Sequence, residues 1–181
     1  NEYRFVEENL SHISDFSIKK LEKGTKSHFF SNSKVNLNTN KFKSSEIEIN
    51  LEKTSNDTYL KSEKLSNSIQ NNQSLLNSYV KYEAFTDEID LSIEMASYED
   101  LTKEKNSDKY QFILPSFKFS KIFLDNSDIK GNLKYSASGV SQKRNTNMTE
   151  NYLINDFDFS SDRFFSKGGF VSNFNFLFNI R

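Results

Sequence analysis

The chain has 181 residues, 35% hydrophobic and 27% charged, with 24 basic against 25 acidic side chains and a formal net charge of -1. That balance argues against a generic nucleic-acid binder, and the lack of cysteine excludes disulfides, thiolate metal sites and a cysteine nucleophile. No run of roughly 18 apolar residues is present to form a transmembrane helix. Asn1-Glu2-Tyr3-Arg4 carries neither methionine nor the apolar stretch of a signal peptide, so the chain reads as a piece of a longer one.

In chain order, residues 1–23 form a poorly patterned lead-in or loop. Beyond it the signal is period two, in which successive side chains point to opposite sides of a strand. A weak candidate runs over 25–38, with Phe29, Val35 and Leu37 on one side. Over 45–53, Ile47, Ile49 and Leu51 oppose Glu46, Glu48, Asn50 and Glu52. Residues 61–74, rich in Ser and Asn, read as a long exposed loop in which Leu60, Leu65 and Ile69 allow at most a short helical turn. Strand candidates then follow at 78–85 (Val80, Tyr82, Ala84) and 88–98, where Ile89, Leu91, Ile93 and Met95 oppose Asp90, Ser92 and Glu94. Over 111–121, Ile113, Pro115, Phe117 and Phe119 share a side, with Phe112 and Leu114 breaking the rule. Over 129–139, Ile129, Leu133, Tyr135 and Ala137 oppose Lys130 and Lys134; over 153–161, Leu153, Phe157 and Phe159 oppose Ile154, Asp156 and Asp158. The run 168–181 places Phe170, Ser172, Phe174, Phe176, Phe178 and Ile180 on one side of a single long strand.

Polar breakers at 38–40, 86–87, 103–108, 125–128, 142–147 and 161–163 separate these runs. The expectation is an all-β chain of about eight antiparallel up-and-down strands. Such strands fit a soluble sandwich, with the apolar side on a protein core. They also fit part of a transmembrane β-barrel, with the apolar side on lipid and the polar side on a wet lumen. Successive charges on the polar side, simple succession of strands, and few glycines (5) and prolines (1) favour the barrel. The missing tryptophan counts against it, although Tyr79, Tyr98, Tyr110, Tyr135 and Tyr152 can supply an aromatic girdle. On the barrel reading, lipid-facing candidates are Ile47, Ile49, Leu51, Ile89, Leu91, Ile93, Phe117, Phe119, Phe157, Phe159, Phe170, Phe174, Phe176 and Phe178. Lumen-facing candidates are Glu46, Glu48, Asp90, Glu94, Lys130, Lys134, Asp156 and Asp158.

Catalytic chemistry finds little support. Asp156, Asp158 and Asp162 lack the glycine and terminal glutamate of a calcium loop. Asp87-Glu88 and Glu99-Asp100 adjoin turns, where carboxylates are usually solvating. His12 and His28 have no nucleophile elbow to serve, and Gly168-Gly169 reads as a sharp turn into the last strand. The cluster Lys19, Lys20, Lys23 and Lys26 reads as a solvated loop. The chain is therefore expected to be no enzyme and to need no cofactor or metal.

Several strings, taken in order, resemble the LPS-assembly outer-membrane protein family LptD, also called organic solvent tolerance protein. They are Ile47-Glu48-Ile49-Asn50-Leu51-Glu52-Lys53, Asn56-Asp57-Thr58-Tyr59-Leu60-Lys61, Tyr98-Glu99-Asp100-Leu101 and Lys109-Tyr110-Gln111-Phe112-Ile113-Leu114-Pro115-Ser116-Phe117. Gly131-Asn132-Leu133-Lys134-Tyr135, Asn145-Thr146-Asn147, Leu153-Ile154-Asn155-Asp156 and Gly169-Phe170-Val171-Ser172-Asn173-Phe174-Asn175 continue the series, which covers most of the chain from about residue 24. The resemblance implies an internal section of the outer-membrane barrel that inserts lipopolysaccharide into the outer leaflet. It also implies location in the bacterial cell outer membrane, an LptE-like lipoprotein plug, a periplasmic Lpt bridge as partner, and no nucleic acid. The alternative is a soluble β-sandwich adhesin or carbohydrate-binding module.

Overall fold

The computed structural model describes residues 1–22, 24–63, 69, 72–124 and 130–181. The expected placements of Lys23, Leu65 and Ile129, and of the breaker at 125–128, lie outside the described residues. Strands β1 (Glu2–Val6), β2 (Leu10–Leu21), β3 (Gly24–Asn36) and β4 (Ser44–Thr54) lead to a four-residue helix α1 (Tyr59–Ser62). Then come β5 (Leu75–Phe85), β6 (Ile89–Asp100), β7 (Tyr110–Leu124), β8 (Gly131–Arg144), β9 (Thr149–Ser161), β10 (Phe164–Phe165), β11 (Val171–Ser172) and β12 (Asn175–Ile180).

The chain is all-β, antiparallel and up-and-down. Among the described residues ten strands form one sheet in the order β1-β2-β3-β4-β5-β6-β7-β8-β9-β12, each paired with its sequence neighbour except where the small β10-β11 hairpin interrupts. The sheet does not close on itself, so β1 and β12 are edges. Turns are made where the polar breakers stand. Asn147, for example, takes a left-handed backbone (φ 64) between β8 and β9, a conformation asparagine tolerates better than most residues.

Three expectations are corrected. The lead-in at 1–23 is two strands; β2 alternates weakly, with His12, Ser14 and Lys20 diluting the side that carries Leu10, Phe16 and Ile18, and is recruited by the twelve-rung pairing with β3. The strand expected over 168–181 is broken, because Val171 and Ser172 pair with Phe165 and Phe164 and only 175–180 join the main sheet. Phe170 and Phe174 therefore lie outside the large sheet. In β7, the register shifts across Leu114 and Pro115 against both neighbours, between Glu94 and Ala96 on β6 and between Ile113 and Ser116 on β7. Proline has no N–H for the ladder, so a bulge absorbs it. The bulge flips the parity: Phe112 shares a face with Phe117, while Ile113 lies on the other.

Partners on one ladder rung point to the same side. One face gathers Ile47, Ile49, Leu51, Val80, Tyr82, Ile89, Leu91, Ile93, Phe117, Phe119, Tyr135, Phe157, Phe159, Phe176 and Phe178. The other gathers Lys34, Glu46, Glu48, Asn50, Lys81, Asp90, Glu94, Lys118, Lys134, Asp156 and Asp158. Among the described residues the buried apolar cluster is small and sits at one end, where Tyr59 and Leu60 of α1 pack with Phe30, Ile69, Leu76 and Leu101. Most large apolar side chains stay half exposed on the apolar face, with no second sheet over them among the described residues.

Candidate functional site: the polar face

Two cavities, of about 630 and 500 Å³, open on the polar side. The larger is lined by Lys81, Asp90, Glu94, Ser116, Lys118, Ser136 and Asp156, the smaller by Asn32, Glu48, Asn50, Asn77, Tyr79 and Tyr98. On this face Phe30, Asn50, Glu52 and Ala96 are buried, whereas the large side chains of the apolar face stand half exposed, so the polar face is the concave one. Its charges are arranged by the ladder: Lys34 pairs with Glu48, Glu48 with Lys81, and Lys81 with Glu94, so signs alternate across four adjacent strands on one rung.

Side chains close the contacts. Lys34 Nζ lies 3.2 Å from Glu48, whose carboxylate also accepts from Asn32 (2.8 Å) and the Tyr79 hydroxyl (2.7 Å). Paired β4–β5 rungs stop at Asn50 and Tyr79. Beyond them side chains replace the ladder: Asn77 N–H donates to Glu52 Oε2 (2.9 Å), Glu52 N–H to Ser78 Oγ (3.0 Å), and Asn50 Nδ2 to the Asn77 carbonyl (2.7 Å). Buried backbone groups left without a ladder partner must be satisfied this way.

The connections at the end bearing α1 are tied together. Lys19 and Lys26, partners on the β2–β3 hairpin, reach Glu63 (2.7 Å) and Ser62 (3.2 Å) beside α1. Lys109, its side chain 2% exposed, donates to both oxygens of Asp57 (2.8 and 2.7 Å), with Glu99 at 3.5 Å. Burial works against that ammonium, but the bonds and charge of Asp57 outweigh it and hold its pKa above the ordinary lysine value. The Asn145 amide donates to the Lys105 and Ser107 carbonyls, and the Thr146 hydroxyl and N–H donate to Asp108. The Thr146 hydroxyl is the main reason the Asp108 carboxyl falls below the usual aspartate value. His28 is buried between the Phe30 and Tyr59 rings, with Nε2 3.2 Å from Asp15.

Of the expected lumen-facing residues, Glu46, Glu48, Asp90, Glu94, Lys134, Asp156 and Asp158 share the concave face, and Lys130 lies one residue before β8, outside the sheet. Twelve of the expected lipid-facing residues share the opposite face, Phe170 and Phe174 being the exceptions. The tyrosines divide: Tyr110 and Tyr135 are on the apolar side, whereas Tyr79, Tyr98 and Tyr152 point into the concave side and cannot serve a girdle. Asn77, Tyr79 and Lys81 were missed as inner residues, yet the parity opposite Val80 and Tyr82 implies them. Lys109 had no such signal, since its partner Asp57 lies 52 positions away. Among the described residues no group of three His, Cys, Asp or Glu is placed to hold a metal ion. Comparison with protein-family models, curated proteins and solved structures gives no match.

Proposed function

We propose that this sheet is part of the wall of a transmembrane β-barrel. We further propose, on the resemblance to the LptD family, that the barrel passes lipopolysaccharide to the outer leaflet of a bacterial outer membrane. The observation that carries the membrane reading is the slope of the apolar band. The rung Ile47-Tyr82-Ile93-Phe117-Gly139-Leu153 crosses six strands. On β4 the centre of the apolar run is Ile49, two residues above that rung. On β9 it is Phe157, four residues below. The band therefore descends six residues in five strand-to-strand steps. With roughly 3.3 Å per residue and about 4.8 Å between strands, this is an angle of roughly 40°.

Strands of membrane barrels tilt by about 35–45°, and their lipid-facing band lies level in the membrane, oblique to the rungs by that angle. The same slope places the midline at Ile93 on β6, between Phe117 and Phe119 on β7, and between Phe176 and Phe178 on β12. Each is an apolar position. A sandwich core requires a second sheet over the apolar face, which the described residues do not supply. The concave polar face suits the sugar portion of an amphiphile whose acyl chains stay in the bilayer. No covalent step is required. Lipopolysaccharide, an LptE-like plug and a periplasmic bridge enter as partners through the resemblance alone.

The test is insertion of the chain into phospholipid vesicles. Arg at Phe176, at mid-depth, should cost roughly 2–4 kcal/mol of folding free energy, whereas Arg at Asn175, on the opposite face, should be mild. Equal effects on the two faces would sink the reading.

A further inference from the structure

We propose that the β10–β11 hairpin is an interfacial anchor that seats in the headgroup region of an anionic bilayer, at the end of the sheet opposite α1. The inference rests on the membrane-spanning reading and adds a second contact, outside the sheet. The hairpin has two rungs, Phe164–Ser172 and Phe165–Val171. Its turn is closed by Ser166 N–H to the Phe170 carbonyl (2.9 Å) and Phe170 N–H to Ser166 Oγ (3.1 Å), with Gly169 at φ 80. A two-stranded hairpin this short is marginal in water. Yet it holds its most apolar side chains outward: Phe165 is 76% and Phe170 78% exposed, and Val171 is also exposed.

Two further observations name the surface it fits. The aromatic pairs of the sheet run on into the hairpin without a gap: Phe159 lies against Phe176 (6.4 Å between ring centres), and the next pair down is Phe164 against Phe174 (5.9 Å). The base is fixed to the sheet by Ser161 N–H to the Phe174 carbonyl and Phe174 N–H to Ser161 Oγ, both 2.8 Å. On the midline set by the apolar band, Phe174 lies three residues below the point between Phe176 and Phe178. On a strand tilted about 40° that is roughly 7–8 Å of depth, in a band whose half-height is about 12 Å. The rest of the hairpin then falls at the boundary, where aromatic rings with polar neighbours accumulate. The charges also suit it: exposed Arg163 and Lys167 lie within the connection, against one carboxylate, Asp162. Aromatic side chains flanked by cations are the composition of segments that lie in an anionic interface.

The chain contains no tryptophan, so single reporters can be placed at will. Phe170→Trp and, separately, Phe176→Trp are introduced into the chain and reconstituted in vesicles of phosphatidylglycerol or phosphatidylcholine carrying brominated lipids. Phe170→Trp should show blue-shifted emission in phosphatidylglycerol and be quenched most by bromine near the glycerol end of the acyl chains. Phe176→Trp should be quenched most by bromine deep in the chains. Adding Arg163→Glu and Lys167→Glu to the Phe170→Trp chain should shift the hairpin toward water by about fivefold or more per site in phosphatidylglycerol, with little change in phosphatidylcholine. If Phe170→Trp keeps aqueous emission and iodide quenching while Phe176→Trp is lipid-quenched, the anchor is refuted and the barrel reading stands. If Phe176→Trp also escapes lipid quenching, both fall. Shielding of Phe170→Trp from iodide and lipid alike would mean a protein contact and overturn the proposal, as would indifference to charge reversal.

Discussion

Leu153, Phe157 and Ile93 give the sharpest separation between an oblique membrane band and an ordinary amphipathic sheet. All three lie on the apolar face, and their exposures are similar, at 54%, 39% and 36%. Leu153 and Ile93 sit on the same rung, linked through Phe117 and Gly139. If the apolar face met water or a rung-aligned partner, arginine at any of the three would cost a similar, small amount. If the band slopes by about 40°, Ile93 and Phe157 lie at its midline, but Leu153 lies four residues above it. At roughly 2.5 Å of depth per residue along a tilted strand, Leu153 is about 10 Å from the midplane, near the edge of a band about 25 Å tall. Arginine costs roughly 2–4 kcal/mol at the midplane and about 0–1 near the boundary. Ile93→Arg and Phe157→Arg should therefore each lose about 2–4 kcal/mol, and Leu153→Arg no more than about 1. The measurement is reversible denaturant unfolding in phospholipid vesicles, followed by tyrosine fluorescence and circular dichroism, with unchanged m-values required. A Leu153→Arg cost equal to that of Phe157→Arg would refute the slope, whatever the absolute values.

Two other outcomes follow from local geometry. A Cβ on Gly131 would stand 2.7 Å from the Ser160 carbonyl oxygen and 2.9 Å from Ser161 Cα, both backbone atoms. Gly131→Ala should destabilise by about 1–3 kcal/mol in the same unfolding assay, and by more than Gly139→Ala, where only the Phe117 ring must tilt away. Thr146→Val should return the Asp108 carboxyl toward the ordinary value of 3.8, read by carbon NMR of the side chain. Because the folded value of Asp108 is depressed, its contribution is complete above the unfolded value and disappears as pH falls through the folded one. The tie between the 101–109 and 145–148 connections should hold from neutrality to about pH 5 and weaken only in stronger acid; loosening near neutrality would contradict the assignment.

What the sequence discloses is parity, and parity places most of the site. The alternation at 45–53 and 88–98 puts Ile47, Ile93, Glu48 and Glu94 on their correct sides, because an unbroken ladder transmits the period of two from strand to strand. It fails where something local resets the count. Pro115 was visible, but a bulge that swaps Phe112 and Ile113 depends on the hydrogen bonds of β6 and β8 as much as on β7. The run 168–181 fails for another reason: its alternation is intact, but Phe164 and Phe165 compete as pairing partners for Val171 and Ser172. In β2 the signal is merely faint, and pairing to β3 decides the structure. Contacts such as Lys109 to Asp57 have no sequence signal at all, because nothing periodic relates two loops.

The concave face has a selectivity that follows from the ladder itself. On the rung Lys34-Glu48-Lys81-Glu94 each charge has an opposite neighbour on the next strand, and Lys134 stands opposite Asp158 further along the sheet. Half-exposed pairs of this kind add little stability, typically below about 1 kcal/mol. Their larger effect is on the field. On that rung alternating signs about 4.8 Å apart cancel within a Debye length of roughly 8–10 Å. The next rung on this face, however, sets Glu46 opposite Glu83, and the larger cavity is lined by Glu83, Asp90, Glu94 and Asp156 against Lys81 and Lys118, so the face carries an acidic excess. Around them stand neutral hydrogen-bonding groups: Ser92, Ser116, Ser120, Ser136 and Ser138 in one cavity, Asn32, Asn50, Asn77 and Tyr79 in the other. Such a surface exchanges hydrogen bonds with a hydroxyl-rich solute at many equivalent positions, and its acidic excess disfavours anions. On the proposed barrel reading, a wall without a strong anion site would let a sugar-bearing amphiphile move along it instead of holding it.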